Sequence, residues 1–421
     1  MKFILLALFG LIVLWSLRFT LWSRNLRVKA KKKLSEVELN ASDRWSDEFL
    51  ESKRQVTDPL ADSVVMSIME GKEKADVNHL FQSIVHDGEK LPHDAPEEVK
   101  EYFRKTSILP EWADRDLIAL GQQVYIRHGV WISVLLTFKS LPECYACAKG
   151  AEVLYRTGRL NEEDGSLTTF SRRIAETAQF VFYSLQPNGL SVNGSGLRAT
   201  QKVRLIHAVI RYYIKKEGWD VAAFDEPINQ EDMAGTLMAF SALILEGFET
   251  LEIELTEIEK EAYMHCWRVI GHIVGLDQDL IPHNYADGLK LGHTILRNQT
   301  KESAHSQKLM EALMDFTDSL SKPFFSKETN ALMMRMMMGQ ELSDLLAVPA
   351  GDEEQINKLK KRLRRIARVS NWFDRSLVLG FVSQSTAKVM LQLAISSLTK
   401  AKVINFYLPK SLTKDWNPHS S

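Results

Sequence analysis

Cysteine is scarce here: three residues in 421 are too few for a disulfide framework and suit a reducing compartment. A surplus of either charge is also missing. The 53 Lys and Arg nearly balance 54 Asp and Glu, and no basic-aromatic patch repeats, so nothing points to a nucleic-acid partner. There is no G-x-S-x-G elbow, Walker loop or G-x-G-x-x-G, which leaves hydrolase, nucleotide and dinucleotide chemistry without support. Proline is absent across 228–281 and again across 350–407, leaving room for long helices. Period-two alternation is rare, so no sheet is expected, and no repeat of solenoid period occurs.

What is present is apolar residues, at 45% of the chain, enough for a sizeable core. They recur at three- and four-residue spacing in Leu117–Ile126, Arg173–Leu185, Val203–Ile214, Met233–Leu245 and Tyr263–Val274, the period of buried helix faces. The expected fold is all-α. Phe3–Trp15 is an unbroken apolar run, and Phe3–Trp22 reaches the ~20 residues that cross a bilayer if Arg18 snorkels. Arg18, Arg24, Arg27, Lys29, Lys31, Lys32 and Lys33 overlap or follow it. This order of charge is the reverse of a cleaved signal peptide, and predicts an uncleaved single-pass anchor with the body on the cytoplasmic side. An interfacial helix lying on the membrane is the alternative. Four segments follow: anchor and basic flank at 1–33, linker and short helices at 34–108, a helical core at 109–300, and a C-terminal helical extension at 301–421. In the extension, the run from Leu332 to Met338 suggests an adaptable apolar surface, and 369–400 reads as a long helix.

One residue interrupts this apolar pattern. His207 stands amid Val203-Arg204-Leu205-Ile206-His207-Ala208-Val209-Ile210-Arg211, with an arginine about one turn to either side. Burying an imidazole and two guanidiniums is costly unless each finds a partner. Haem can serve all three, offering iron to the ring and propionates to the arginines. His207 and Arg211 share a helix face, as do Arg173 and Thr177 on the preceding helix. Each pair lies thirty-four residues from its counterpart, across the Gly-rich loop Pro187–Gly196, after which Thr200 or Ser195 is a candidate cap. Spacing alone leaves open the plainer reading of a satisfied core histidine, with Arg173 on a local carboxylate.

Arg173-x-x-x-Thr177 followed by Val203-Arg204-x-x-His207-x-x-x-Arg211 resembles the signature of the latex-clearing protein (rubber oxygenase) and MpaB-type oxygenase family. Leu109-Pro110-Glu111-Trp112 through Gly121-Gln122-Gln123-Val124 is similar to the family's opening helix. Val153-Leu154-x-x-Thr157-Gly158-Arg159, Pro227-Ile228-Asn229-Gln230-Glu231-Asp232-x-x-x-Thr236-x-x-x-Phe240 and Trp267-Arg268-x-x-Gly271-x-x-x-Gly275 follow in order. The resemblance covers roughly 109–293. It implies a globin-like, orthogonal helical domain around haem b, with His207 as proximal iron ligand and Arg173, Thr177 and Arg211 supporting the haem and its pocket. It implies oxidative cleavage of isoprenoid double bonds with dioxygen as co-substrate, acting on polyisoprene or membrane-borne prenyl chains.

The chain also departs from that pattern. Glu176 stands where the latex enzyme has a distal lysine, so a carboxylate replaces an amine. It is read either as a distal base or as a partner of Arg172 or Arg173. The nearest match to the family's upstream base is Glu152, out of register. Cys144-x-x-Cys147 lacks a second pair and reads as two buried helical thiols rather than a zinc or redox site. His265 and His272 share a face without carboxylates, and Glu302-x-x-His305 reads as a solvated face. Asn229, Glu231 and Asp232 start a helix after Pro227. The reading is therefore a membrane-anchored haem oxygenase of an apolar, lipid-like substrate. The other reading is a tethered helical adaptor or lipid binder without catalysis.

Overall fold

The computed structural model describes residues 2–35, 39–71, 95–157, 168–322 and 325–375. The side chains of Phe3–Trp15, Gly158, Arg159 and most of the expected 369–400 helix lie outside the described residues. The chain runs through α1 (Lys2–Leu34), α2 (Asp47–Lys53), α3 (Pro59–Gly71), α4 (Glu97–Thr106) and α5 (Arg115–Leu135). A π-helical turn, Leu136–Ser140, leads into α6 (Leu141–Ala146) and α7 (Ala148–Arg156). Next come α8 (Thr168–Leu185), α9 (Ser195–Lys216), the single turn α10 (Val221–Phe224), α11 (Gln230–Phe240) and α12 (Ala242–Leu251). The series continues with α13 (Glu257–Val274), α14 (Tyr285–Gln299), α15 (Ala304–Ser321), α16 (Lys327–Met338), α17 (Gln340–Leu345) and α18 (Glu353–Arg375). Among the described residues there is no β-strand beyond one isolated bridge, Cys147 to Thr300.

Local chemistry accounts for the helix ends. Asp114 caps α5 by accepting from the amides of Asp116 and Leu117 at 2.9 and 3.0 Å. Thr256 and Glu259 close a reciprocal capping box on α13, and Gly275 ends that helix at φ +91°, a conformation glycine adopts freely. Asn229 caps α11 through the Asp232 amide. Helix α9 begins at Gly194 with no side-chain cap, so neither Ser195 nor Thr200 has that role. The Thr200 hydroxyl instead donates to the Gly196 carbonyl at 2.7 Å. The apolar stretch Met233–Leu245 is broken at Ser241, whose φ of −121° and ψ of −89° separate α11 from α12.

Helices α5 and α13 cross at the centre, where Gly121 allows contact: a Cβ there would sit 2.6 Å from Cys266 Sγ and closer still to the Ala262 carbonyl. Helix α9 lies between α8, α3 and α13. The stretch Gln230–Leu251 is long and apolar enough to cross a membrane, yet most of it is buried, so it serves as core. Met333, Met334 and Met337 are buried too, so the methionine run fills the interior and presents no adaptable surface. Leu309, Met310, Leu313 and Phe316 on α15 share a core with Tyr145 and Phe170, so packing runs straight across residue 300.

Segment 34–108 is structural as well as connecting. Arg54, 0% exposed, bonds Asp225 and Glu231 at 2.6 Å each and Asp232 at 3.1 Å. Asp58 takes Arg204 at 2.6 and 2.8 Å, and Asp62 takes Arg211 at 2.8 Å. The basic flank of α1 is similarly committed. Leu26 and Ala30 pack with Leu117, Leu120 and Ala262, Arg27 reaches Glu259 at 3.1 Å, and Lys29 and Lys33 lie 3.6 and 3.4 Å from Asp116 and Asp114.

Because the α5–α13 contact has no room for a side chain, Gly121→Ala should destabilise the chain by about 1–3 kcal/mol. Urea unfolding checks this; a variant as stable as the parent would mean the two helices separate without cost.

Candidate active site

The Gly-rich turn decides how α8 and α9 meet. Gly196 sits against α8, where a Cβ would lie 2.8 Å from the Ser184 amide nitrogen, so the start of α9 lies directly on the end of α8. Both helices then contribute to one internal cavity, together with α6, α7, α11, α13 and α14. Its volume is about 260 Å³. Val203, Ile206, Phe180, Leu237, Phe240 and Trp267 make most of the wall apolar.

His207, Arg173 and Thr177 all face this cavity. The buried Nδ1 of His207 has no hydrogen-bond partner among the described residues. Burial, with Arg211 and Arg173 nearby, lowers its pKa to about 3, which keeps the ring neutral and its lone pair available. Arg173 donates from Nη1 to the Thr177 hydroxyl at 3.0 Å, and that hydroxyl donates back to the Arg173 carbonyl at 3.0 Å. Among the described residues no carboxylate pairs with Arg173.

Four expected site residues lie elsewhere. Arg211 does not line the cavity: Asp62 and the Ile228 carbonyl, the latter at 3.2 Å, occupy its guanidinium. Arg204 is held by Asp58 and by the Ile273 carbonyl at 3.2 Å. Glu176 is 1% exposed, off the cavity wall, and its Oε1 lies 3.5 Å from Arg172 Nε; the ion-pair reading replaces the distal base. Glu152 also misses the cavity, because Arg156 and His305 hold it. His305 stacks on Tyr155 at 3.7 Å while about a third of its side chain, 34%, stays exposed, and Glu302 beside it is exposed. His265 accepts the Asp114 amide at 2.9 Å, and His272 bonds Gln278 at 2.7 Å. Both have local structural partners.

Other residues enter the wall unforeseen. Glu143 lines it with a buried Oε2 that has no partner, while its other oxygen is held by Lys139 of the π-helical turn. Burial raises the Glu143 pKa against the opposing pull of Lys139. Lys139 also reaches Glu246 at 3.0 Å. The i, i+4 spacing of Lys139 and Glu143 was a legible signal for the pair, but not for the wall they occupy. Asp232 reaches the cavity from α11 while held by Arg54 and, at 2.9 Å, by Asn229. Cys144 and Cys147 are both free thiols facing the cavity rather than solid core. Burial pushes the Cys144 thiol up to about 12, so both stay protonated and weakly nucleophilic. Among the described residues no group of three metal-binding side chains converges.

Comparison with known proteins falls on the same residues. The family model described as ER-bound oxygenase mpaB/B'/Rubber oxygenase, catalytic domain, matches residues 130–372, more than half the chain. The chain belongs to that family. The match includes every cavity residue named above and continues past residue 300. A rubber oxygenase from Streptomyces sp. (strain K30) is 22% identical over 301 residues, covering 70% of this chain and 71% of that protein. A solved structure of latex clearing protein LCP in the closed state has the same fold, with a TM-score of 0.67 at 19% identity, covering 85% of this chain and 95% of that one. Family and all-helical fold therefore agree with the sequence reading.

The depressed His207 midpoint has a measurable sign. Above the unfolded value of 6.5 the neutral ring imposes no penalty. As pH falls from 6.5 toward about 3, the unfolded chain takes the proton first, and stability falls by about 1.4 kcal/mol per pH unit. NMR titration of the chain without added cofactor should find His207 still neutral at pH 5, and Arg173→Ala should raise its midpoint. A ring titrating near 6.5 would contradict this environment.

Proposed function

We propose that this protein is a membrane-anchored, haem b-dependent oxygenase that oxidises or cleaves an apolar, unsaturated substrate of prenyl, isoprenoid or lipid type with dioxygen. The observation that carries the proposal is the unpartnered, neutral imidazole of His207 on the wall of a largely apolar cavity, in a chain whose family is one of oxygenases. An orphaned buried nitrogen costs about 1–3 kcal/mol, and an iron ligand removes that cost. Arg173, without a carboxylate of its own, supplies charge for a propionate. Arg204 and Arg211 are already neutralised by Asp58 and Asp62, so the residues present fit haem with a smaller arginine set than their spacing suggested.

When bound, haem supplies the oxygen and electron-transfer chemistry. The chain's residues do the rest. His207 holds the iron, and Arg211 acts on that ring at a distance by helping to keep it neutral. Thr177 fixes the Arg173 guanidinium. Phe180, Leu237, Phe240 and Trp267 exclude water and receive an apolar chain. Glu143, burdened by burial and holding one oxygen unpartnered, is the wall carboxyl suited to take or hold a proton, in place of Glu152 or Glu176.

Placement at a membrane follows from the substrate and from α1. Phe3–Trp22 would span the bilayer, with the body on the cytoplasmic side, so that lipid-soluble substrate is concentrated at the protein.

Absorption spectroscopy tests the proposal. Full-length protein extracted from membranes and supplied with haem should show a Soret band. His207→Ala should lose it, or show changed ligation with haem retention at least about tenfold weaker, at unchanged helix content. A wild-type protein with no Soret band after haem supply would overturn the assignment.

A further inference from the structure

The Glu143 carboxyl on the cavity wall is connected to the protein surface. Its Oε2 is buried and has no partner among the described residues, so direct solvation does not reach it. Its Oε1 is bonded to Lys139 Nζ, and Lys139 lies 3.0 Å from Glu246 Oε2 on the other side. Glu246 in turn meets His293 Nε2 at 2.8 Å with its Oε1. Glu246 thus gives one oxygen to each neighbour, and the four side chains form an unbroken hydrogen-bonded row. Exposure rises along it, from 6% at Glu143 and Lys139 through 31% at Glu246 to 53% at His293. The row therefore runs from interior to solvent.

Packing holds its members in place. The π-helical turn re-aims Lys139 and is pinned by the Ser140 hydroxyl, which donates to the Ala239 carbonyl at 2.5 Å. Gly247, next to Glu246, lets α12 close on the end of α5: a Cβ there would lie 2.6 Å from Leu135 Cδ2. Gly292, next to His293, brings α14 equally near α12, with Leu243 Cδ2 at 3.4 Å from the corresponding point. The bond to Glu246 raises the His293 pKa above its ordinary value, so the outermost ring carries a proton closer to neutral pH. A purely structural ion cluster could hold the same charges, and the movement of a proton is what separates the two.

We propose that Glu143 exchanges its proton with solvent through Lys139, Glu246 and His293, which together form a relay serving the cavity. When Glu143 gives up its proton, its Oε1 takes one from Lys139 Nζ. His293 passes its Nε2 proton to Glu246 Oε1, the carboxyl turns, and Oε2 hands the proton to the lysine amine. The imidazole recovers a proton from water. One proton enters at His293 for each that leaves Glu143, and no other bond is made or broken. Lys139, Glu246 and His293 are positioning residues that act through Glu143.

This rests on the reading of Glu143 as the wall carboxyl that holds a proton, and its test needs no haem. Infrared spectroscopy of the full-length protein without cofactor follows the carbonyl stretch of protonated Glu143, identified by its loss in Glu143→Gln. Transfer to heavy water shifts this band as deuterium arrives. The shift should slow at least about tenfold in His293→Ala and in Glu246→Gln, since a positioned proton carrier contributes orders of magnitude in rate. Free imidazole should restore the rate in His293→Ala, where the exposed site admits it, and leave Glu246→Gln slow. Exchange at the wild-type rate in either variant overturns the proposal. So does a Glu143 that shows no protonated band at any pH at which the protein stays folded. A missing Soret band would sink the haem assignment without altering this exchange, and unslowed exchange would sink the relay without altering the Soret band.

Discussion

The position of His207 depends on charges compensated beneath it. Helix α9 carries two arginines into the interior, and each would be prohibitively costly there without a counter-charge. Asp58 and Asp62, at the start of α3, meet Arg204 and Arg211. One turn of α3 thus clamps about two turns of α9, with His207 between the clamped points. Arg54 performs a similar task for the start of α11, gathering Asp225, Glu231 and Asp232. Removing one partner of such a pair strands a buried charge, which makes these contacts stricter than apolar packing of similar area. The segment that supplies Arg54, Asp58 and Asp62 precedes the family match at residue 130, yet the walls of the cavity lean on it.

With those charges satisfied, the cavity keeps few polar groups of its own. Among the described residues His207 Nδ1 has no partner and Arg173 bonds Thr177 but no carboxylate, while Glu143 and Asp232 each give one oxygen to a buried cation. A low-dielectric surround strengthens whatever these groups bind. The thiols of Cys144 and Cys147 add bulk without reactivity, since burial keeps them protonated. Such a wall suits a ligand that is mostly hydrocarbon.

A good part of this was legible in the residues. The stretches of helical spacing between Leu117 and Val274 are helical, with one break at Ser241, and Arg173, Thr177 and His207 do share one cavity. Arg211 was misplaced by the same reasoning that placed His207. An i, i+4 relation says which side of a helix a residue occupies, but a few tens of degrees decide between a cavity and a neighbouring helix. Glu152 and Glu176 were candidates by nearness in sequence, and both were claimed by cations, Arg156 and Arg172. Glu143 pairs with Lys139 of a π-helical turn, and periodicity does not reveal that such a turn brings the pair to a cavity wall.

The sequence alone determined that the chain is helical, which helices have apolar faces, and which family it joins, because periodicity and ordered local motifs are properties of neighbouring residues. Only the tertiary structure decided which charges are spent on holding the fold and which are left for a ligand. That division depends on distances between Asp58 and Arg204, or Asp62 and Arg211, residues almost 150 positions apart. Coulomb energy and desolvation act through space, and no local pattern records them.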